Sequence, residues 1–85
     1  MNQYEAFKET LDLCRPNWPA VDEDFLSLEH HNDMLRRIDE SRFTSGPSMS
    51  EAMMGRWLGW LQGVASALGL LTLDECKRIN MKWSD

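Results

Sequence analysis

The one cluster whose residue types resemble a metal or acid–base site is EHHND, which runs from Glu29 to Asp33. Its two carboxylates are four residues apart and share one face of a helix, where carboxylates beside a histidine can transfer protons. His30 and His31 are consecutive and project about 100° apart on a helix, so they do not readily bind one ion together. A zinc site needs three or four ligands, and no CxxC or HxxxH completes the set. We therefore predict neither a metal site nor catalytic residues.

The two cysteines, Cys14 and Cys76, are the only candidate nucleophiles of their type. A reactive thiol needs an electropositive setting and a neighbouring base, and no motif around either residue supplies them. We predict two reduced, buried thiols, which is typical of a cytoplasmic protein. Phosphate-binding loops, nucleophile elbows and HExxH helices are also absent. The sequence thus predicts no enzyme and no cofactor.

Helical periodicity and capping signals predict the elements that position these residues: four helices and no strand. Their expected ranges are about 2–14, 21–42, 49–68 and 72–83. Two capping boxes, Ser48–Glu51 and Thr72–Glu75, open the third and fourth helices, while TSGPS (residues 44–48) and Gly69 end the second and third. Eighty-five residues make one domain. We predict a compact all-α four-helix domain, residues 1–85, with a central Trp/Gly-rich helix.

Side-chain spacing predicts which faces of these helices are buried. Trp18, between two prolines, is expected to fold back onto the core. The predicted core stripe of the second helix is Val21, Phe25, Leu28, Leu35 and Ile38, and that of the fourth helix is Leu73, Cys76, Ile79 and Trp83. In the third helix, one face holds Met53, Trp57, Trp60, Leu61, Val64 and Leu68, and the opposite face holds Gly55, Gly59, Gly63 and Ser66.

The glycines of the third helix raise two alternatives. The uncharged run from Trp57 to Leu73 is cut at Gly69, which leaves twelve uncharged residues, Trp57 to Leu68, in one helix. They rise about 18 Å, too short for a bilayer. We predict no membrane association. A glycine within a helix costs about 1 kcal/mol relative to alanine, so close approach of another helix is expected to offset it. That helix is either the first or second helix of the same chain, or one from a second copy or a target protein.

The net charge of −5 lies entirely in the first half, because residues 1–45 hold ten acids and five bases. An acidic chain repels phosphate backbones, so we predict that it does not bind nucleic acid. The acids of the second helix favour a basic protein partner or mimicry of DNA. The predicted partner-binding residues are Asp22, Glu23, Asp24, Glu29, Asp33 and Met34.

The segment from Arg56 to Asn80 resembles part of a set of small phage- and prophage-encoded accessory proteins. These carry R-W-L-G-aromatic-x-Q-G-V followed by a helix start T-[LI]-[DE]-E. The matching positions are Arg56, Trp57, Leu58, Gly59, Trp60, Gln62, Gly63, Val64, Thr72, Leu73, Asp74 and Glu75. The resemblance implies a phage accessory role, such as host takeover, anti-defence or lysogeny control.

The sequence as a whole predicts a non-enzymatic interaction module in the cytoplasm of a bacterial host. We expect it to bind and modulate a host protein that has a basic surface. The alternatives are an obligate helical homodimer joined through the glycine groove, which would act as a structural or regulatory scaffold, and an acidic anti-defence protein that mimics DNA.

Overall fold

Asn2 begins the first helix, because its side-chain oxygen accepts a hydrogen bond from the backbone N–H of Glu5 at 3.1 Å. The computed structural model describes residues 1–43 and 48–84. The helices are α1 (Gln3–Cys14), α2 (Leu28–Phe43), α3 (Glu51–Ala67) and α4 (Leu73–Lys82), with 3₁₀ turns at Arg15–Asn17 and Asp24–Leu26. The described residues contain no strand, so the all-α prediction is confirmed. Most of the TSGPS stretch, residues 44–47, lies outside the described residues.

α1 packs against each of the other three helices, the Trp/Gly-rich α3 among them. Its inner face is fully buried, and it contributes Ala6, Phe7, Thr10, Leu11 and Cys14 to the core. The spacing of these residues follows one helical stripe. The helix contacts α3 most extensively, and α2 and α4 flank it.

The predicted start of the second helix at Val21 is wrong, since α2 begins at Leu28. The Ser27 hydroxyl oxygen accepts from the His30 backbone N–H at 3.1 Å, which caps the helix at this point. The preceding backbone is held in a 3₁₀ turn, because the Trp18 indole N–H donates to the Leu26 carbonyl at 3.0 Å. Trp18 packs against the core as predicted.

The buried face of α2 is consequently rotated from the predicted stripe. Ile38 is buried as expected, but Phe25 lies outside the helix and is 48% exposed. His31 and Met34 take core positions instead, because they lie seven and four residues before the buried Ile38 and share its face of the helix. Leu28 and Leu35 are half-buried against the core.

The cap of α3 is Ser50, two residues later than predicted, and its hydroxyl oxygen accepts from the Met53 backbone N–H at 3.1 Å. The buried residues of this helix are Leu58, Leu61, Gln62, Val64 and Ala65. Leu61 and Val64 belong to the predicted apolar face, but Met53 and Trp60 are exposed. The buried face of α3 lies one row of side chains away from the predicted face, because α1 packs against the side that holds Leu58 and Ala65.

The opening of α4 confirms the predicted capping box between Thr72 and Glu75 in both directions. Gly69 has a φ of 75°, the left-handed conformation expected of a glycine that ends a helix. Cys76 and Ile79 are buried, whereas Leu73 is 66% exposed and does not belong to the core stripe. No helix of the described residues is long and apolar enough to cross a membrane.

Candidate functional site

The acidic segment, defined as Asp22, Glu23 and Asp24, lies on the surface ahead of α2. All three residues are exposed. No basic side chain in the described parts of the chain lies within 4 Å of their carboxylates. Because the segment precedes α2, its charges lie outside the first turn of that helix. They remain available to an external partner, as does exposed Glu29 in the first turn of α2.

Asp33 differs from these acids because two arginines bind it. Arg37 Nε lies 3.0 Å from its Oδ2, and Arg36 donates to its Oδ1 and to Glu40. The hydrogen bond from Arg36, together with the charges of both arginines, lowers the pKa of Asp33. A carboxylate held this way is a weak proton acceptor and offers little unpaired charge to a partner.

Met34 is a correction to the predicted partner-binding surface. Only 7% of it is exposed, and it belongs to the hydrophobic core beside Ile38. Met34 lies four residues before Ile38 and therefore on the same, buried face of α2. The predicted surface therefore reduces to the acidic segment and Glu29, with Asp33 engaged within its own helix.

Two large aromatic side chains lie beside the acidic segment and were predicted to be buried. Phe25 is 48% exposed and Trp60 is 41% exposed. Their ring centroids are 6.2 Å apart at an interplanar angle of 45°. The contact joins the Asp24–Leu26 turn to α3 and leaves one side of each ring facing solvent.

A shallow apolar groove continues from Trp60 along α3 and has a volume of about 360 Å³. We call it the α3 groove. Its lining consists of Leu26, Gly59, Trp60, Gly63, Val64, Ala67 and Leu68. These residues form two parallel rows along the helix, one of small residues (59, 63 and 67) and one of large residues (60, 64 and 68).

The three predicted groove glycines have different surroundings. A Cβ built on Gly55 would lie 2.9 Å from Oε1 of Gln3, so α1 occupies that end. Beyond the backbone of its own helix, a Cβ on Gly59 or Gly63 would meet no atom of the described residues within 4 Å. Of the alternatives for the groove, packing by the first or second helix of the same chain is therefore wrong at these two positions as far as the described residues extend. Ser66 lies outside the groove lining, and its hydroxyl is 3.8 Å from Cys76 Sγ.

The groups first considered for catalysis are poorly placed for it. His30 and Asp33 do line a second concavity with Arg37, Trp57 and Trp60, but Asp33 is held by its arginines. Burial raises the pKa of the Cys14 thiol to about 11, which keeps it protonated. Among the described residues, no group of three or more histidine, cysteine, aspartate or glutamate side chains could hold a metal ion.

A further concavity, of about 620 Å³, lies near the N-terminus and the end of α4. Its two cationic side chains interact with other groups of the protein. The Arg42 guanidinium lies 3.9 Å above the Tyr4 ring, and Lys82 Nζ lies 2.6 Å from a Glu9 carboxylate oxygen. This arrangement does not present an unpaired cation to an anionic ligand.

No protein-family model matches this chain, and neither a curated protein nor a solved structure matches it. The residues that sequence reasoning missed are Phe25, Leu26 and Trp60. A local signal for them existed, because Ser27 can cap a helix that begins at Leu28, which would place Phe25 and Leu26 before α2.

Proposed function

We propose that this protein is a non-enzymatic interaction module that binds and modulates a host protein with a basic surface. One observation carries the proposal: the unpaired acidic segment immediately precedes Phe25, which contacts Trp60, and Leu26, which lines the α3 groove. Interfaces commonly combine exposed aromatic anchors with complementary charge. An acidic rim speeds encounter with a basic partner, while the apolar groups hold it.

The cytoplasmic location in a bacterial host and the phage origin belong to the same proposal. They are supported by the resemblance of residues 56–80 to phage accessory proteins and by two buried, unpaired cysteines. Inhibition or redirection of a host protein is the mode of action that fits such an accessory role. The protonated Cys14 and the arginine-bound Asp33 support the non-enzymatic part.

The second candidate is a helical homodimer that associates through the α3 groove. The open space beside Gly59 and Gly63 favours this candidate, since nothing in the described part of the chain fills it. A DNA mimic has weaker support. Arg36 and Arg37 lie among the acids of α2 and interrupt a phosphate-like array.

Affinity capture from a bacterial lysate tests the proposal with two matched variants. The first variant changes Asp22, Glu23 and Asp24 to the corresponding amides. The second variant makes the same kind of change at Glu5, Asp12 and Asp74. Both variants remove three negative charges, but only the first alters the acidic segment. We expect a basic protein to be captured by the native chain and the second variant and to be lost with the first. Equal capture by all three proteins would contradict the role of the acidic segment.

A further inference from the structure

We infer that the α3 groove binds an amphipathic α-helix whose apolar stripe is flanked by lysine or arginine residues. This inference rests on the proposed interaction function and names the kind of partner. The acidic segment runs directly into Phe25 and Leu26, and Leu26 lines the groove. The unpaired negative charge of Asp24 is thus two residues along the chain from Leu26, a residue of the groove wall.

The shape of the groove favours a helix as its occupant. Side chains on a helix form ridges along every fourth residue, and the ridges of one helix pack into the grooves of another. In α3 the row through Gly59, Gly63 and Ala67 has almost no side chains, whereas the adjacent row holds Trp60 and Leu68. The missing row provides a channel for the ridge of a second helix.

An extended peptide suits this channel less well. Its backbone N–H and C=O groups would meet an apolar lining, and α3 already uses its own backbone groups within the helix. Unpaired polar groups that are removed from water cost free energy. A helical occupant satisfies its backbone internally and presents only side chains. From Gly59 to Leu68 the channel is about 14 Å long, enough for two to three helical turns.

The charge around the channel favours a basic occupant over a second copy of this chain. The three carboxylates of the acidic segment have no ion-pair partner in the described residues. A second copy would bring a further net charge of −5, and this repulsion opposes association. Lysine or arginine beside the apolar stripe of a helix would pair with the acidic segment.

The glycines of α3 differ in the space beside them, and this difference provides a control for blocking the groove. Gln3 already occupies the space at Gly55, so the channel is open only from Gly59 onward. A large side chain at Gly63 would fill the channel without meeting any atom of the described protein within 4 Å of its Cβ. The Gly63→Leu variant therefore blocks the groove while it leaves the fold intact.

The test is a titration of the ¹⁵N-labelled full chain with synthetic peptides of about 18 residues, a length that supports helix formation. The first peptide has alanine and leucine on one face and lysine on the other. The second has glutamate in place of lysine, and the third has the composition of the first in scrambled order. The amide resonances of Gly59 and Gly63 and the Trp60 indole resonance report the position of binding.

We expect the lysine peptide to shift these three resonances and to bind at least tenfold more tightly than either control peptide. The Gly63→Leu and Gly59→Leu variants should weaken it at least tenfold, whereas Ala52→Leu, an exposed site on the same helix, should not. Equal binding of the scrambled peptide, no binding of any peptide, or concentration-dependent shifts without peptide would overturn the inference, the last in favour of a second copy. If lysate capture depends on the acidic segment but is indifferent to Gly63→Leu, the proposed function stands and this inference falls.

Discussion

The rings of Phe25 and Trp60 lie 6.2 Å apart, and each remains nearly half exposed. This pair joins the turn before α2 to the middle of α3, and two features of the surface adjoin it. The acidic segment precedes Phe25 in the chain, and the α3 groove extends beyond Trp60. The contact thus connects the unpaired charge of this protein to its open apolar channel.

The first prediction concerns the free energy of unfolding at Gly59 and Gly63. Nothing within 4 Å opposes an added Cβ at either position, and alanine is favoured over glycine in a helix by about 1 kcal/mol. We expect Gly59→Ala and Gly63→Ala each to stabilise the isolated protein by about that amount. For a domain of this size, the midpoint of thermal unfolding should rise by about 4–8 °C.

Gly55→Ala is the matched comparison for these two variants. Its Cβ would lie 2.9 Å from the end of the Gln3 side chain, which must then move. The gain at Gly55 should therefore be smaller than at Gly59 or Gly63. Destabilisation by alanine at Gly59 and Gly63 would show that another group packs against them in solution, contrary to an open groove.

The second prediction concerns the amide pair between α3 and α4. Gln62 Nε2 donates to Asn80 Oδ1 at 2.9 Å, and Asn80 Nδ2 donates to Gln62 Oε1 at 3.1 Å. Gln62 also reaches the Thr10 hydroxyl at 3.3 Å. Gln62→Leu should destabilise the protein by about 2 kcal/mol in urea unfolding, because it removes both hydrogen bonds to the Asn80 amide and the one that the buried Thr10 hydroxyl accepts.

A double-mutant cycle separates this pair from simple packing. Asn80→Leu alone should cost at least as much as Gln62→Leu, since it leaves the buried Gln62 amide with only the Thr10 hydroxyl as a partner, whereas water can reach the half-exposed Asn80. The double variant should be at least about 0.5 kcal/mol more stable than the sum of the two losses predicts. Strict additivity would mean that the two amides do not interact in solution.

The third prediction concerns the pH dependence of stability through His31. This side chain is fully buried, its Nδ1 lies 2.7 Å from the Ser27 carbonyl oxygen, and its ring stacks on Trp18 at 4.9 Å. Burial lowers the pKa of His31 below its ordinary value of 6.5, and the charge of His30 adds to this. The unfolded chain therefore binds a proton at His31 more strongly than the folded chain does.

The sign follows from proton linkage. The contribution of His31 to the free energy of unfolding should be fully present above about pH 6.5. It should decrease as the pH drops below that value, until the pH reaches the folded-state pKa. The slope from one proton is at most about 1.4 kcal/mol per pH unit. Urea unfolding at pH 7.5 and 5.5 should show this loss in the native chain and in His30→Ala but not in His31→Phe. An unchanged pH dependence in His31→Phe would contradict the assignment.

Local signals predicted the parts of the fold that depend on local interactions. The Thr72–Glu75 capping box and the stop at Gly69 both involve residues close in sequence, and the structure confirms them. The start of α2 depends instead on Trp18, whose indole holds the Leu26 carbonyl eight residues away. The acids at 22–24 resemble the first turn of a helix, so the sequence alone favoured the wrong boundary.

The candidate site was only partly predictable for the same reason. The acidic residues indicated an exposed segment correctly, but nothing in the sequence pattern indicated that Phe25 and Trp60 are exposed beside it. Which face of α3 is buried depends on the helices that pack against it. The buried row includes the polar residue Gln62, so hydrophobic periodicity did not indicate that row. Met34 was misplaced because the predicted stripe of α2 left out the row through His31, Met34 and Ile38, which faces the core.

The central claim is that the face around Phe25 is covered by a different protein in the cell, and site-specific photo-cross-linking tests it most directly. A benzophenone amino acid replaces Phe25 in one protein and Leu13, an exposed residue of α1, in a control. After irradiation in bacterial cells, we predict a discrete adduct with one basic host protein from position 25 and none from position 13. An adduct of two copies of the 9.9 kDa chain, or the same products from both positions, would contradict the account.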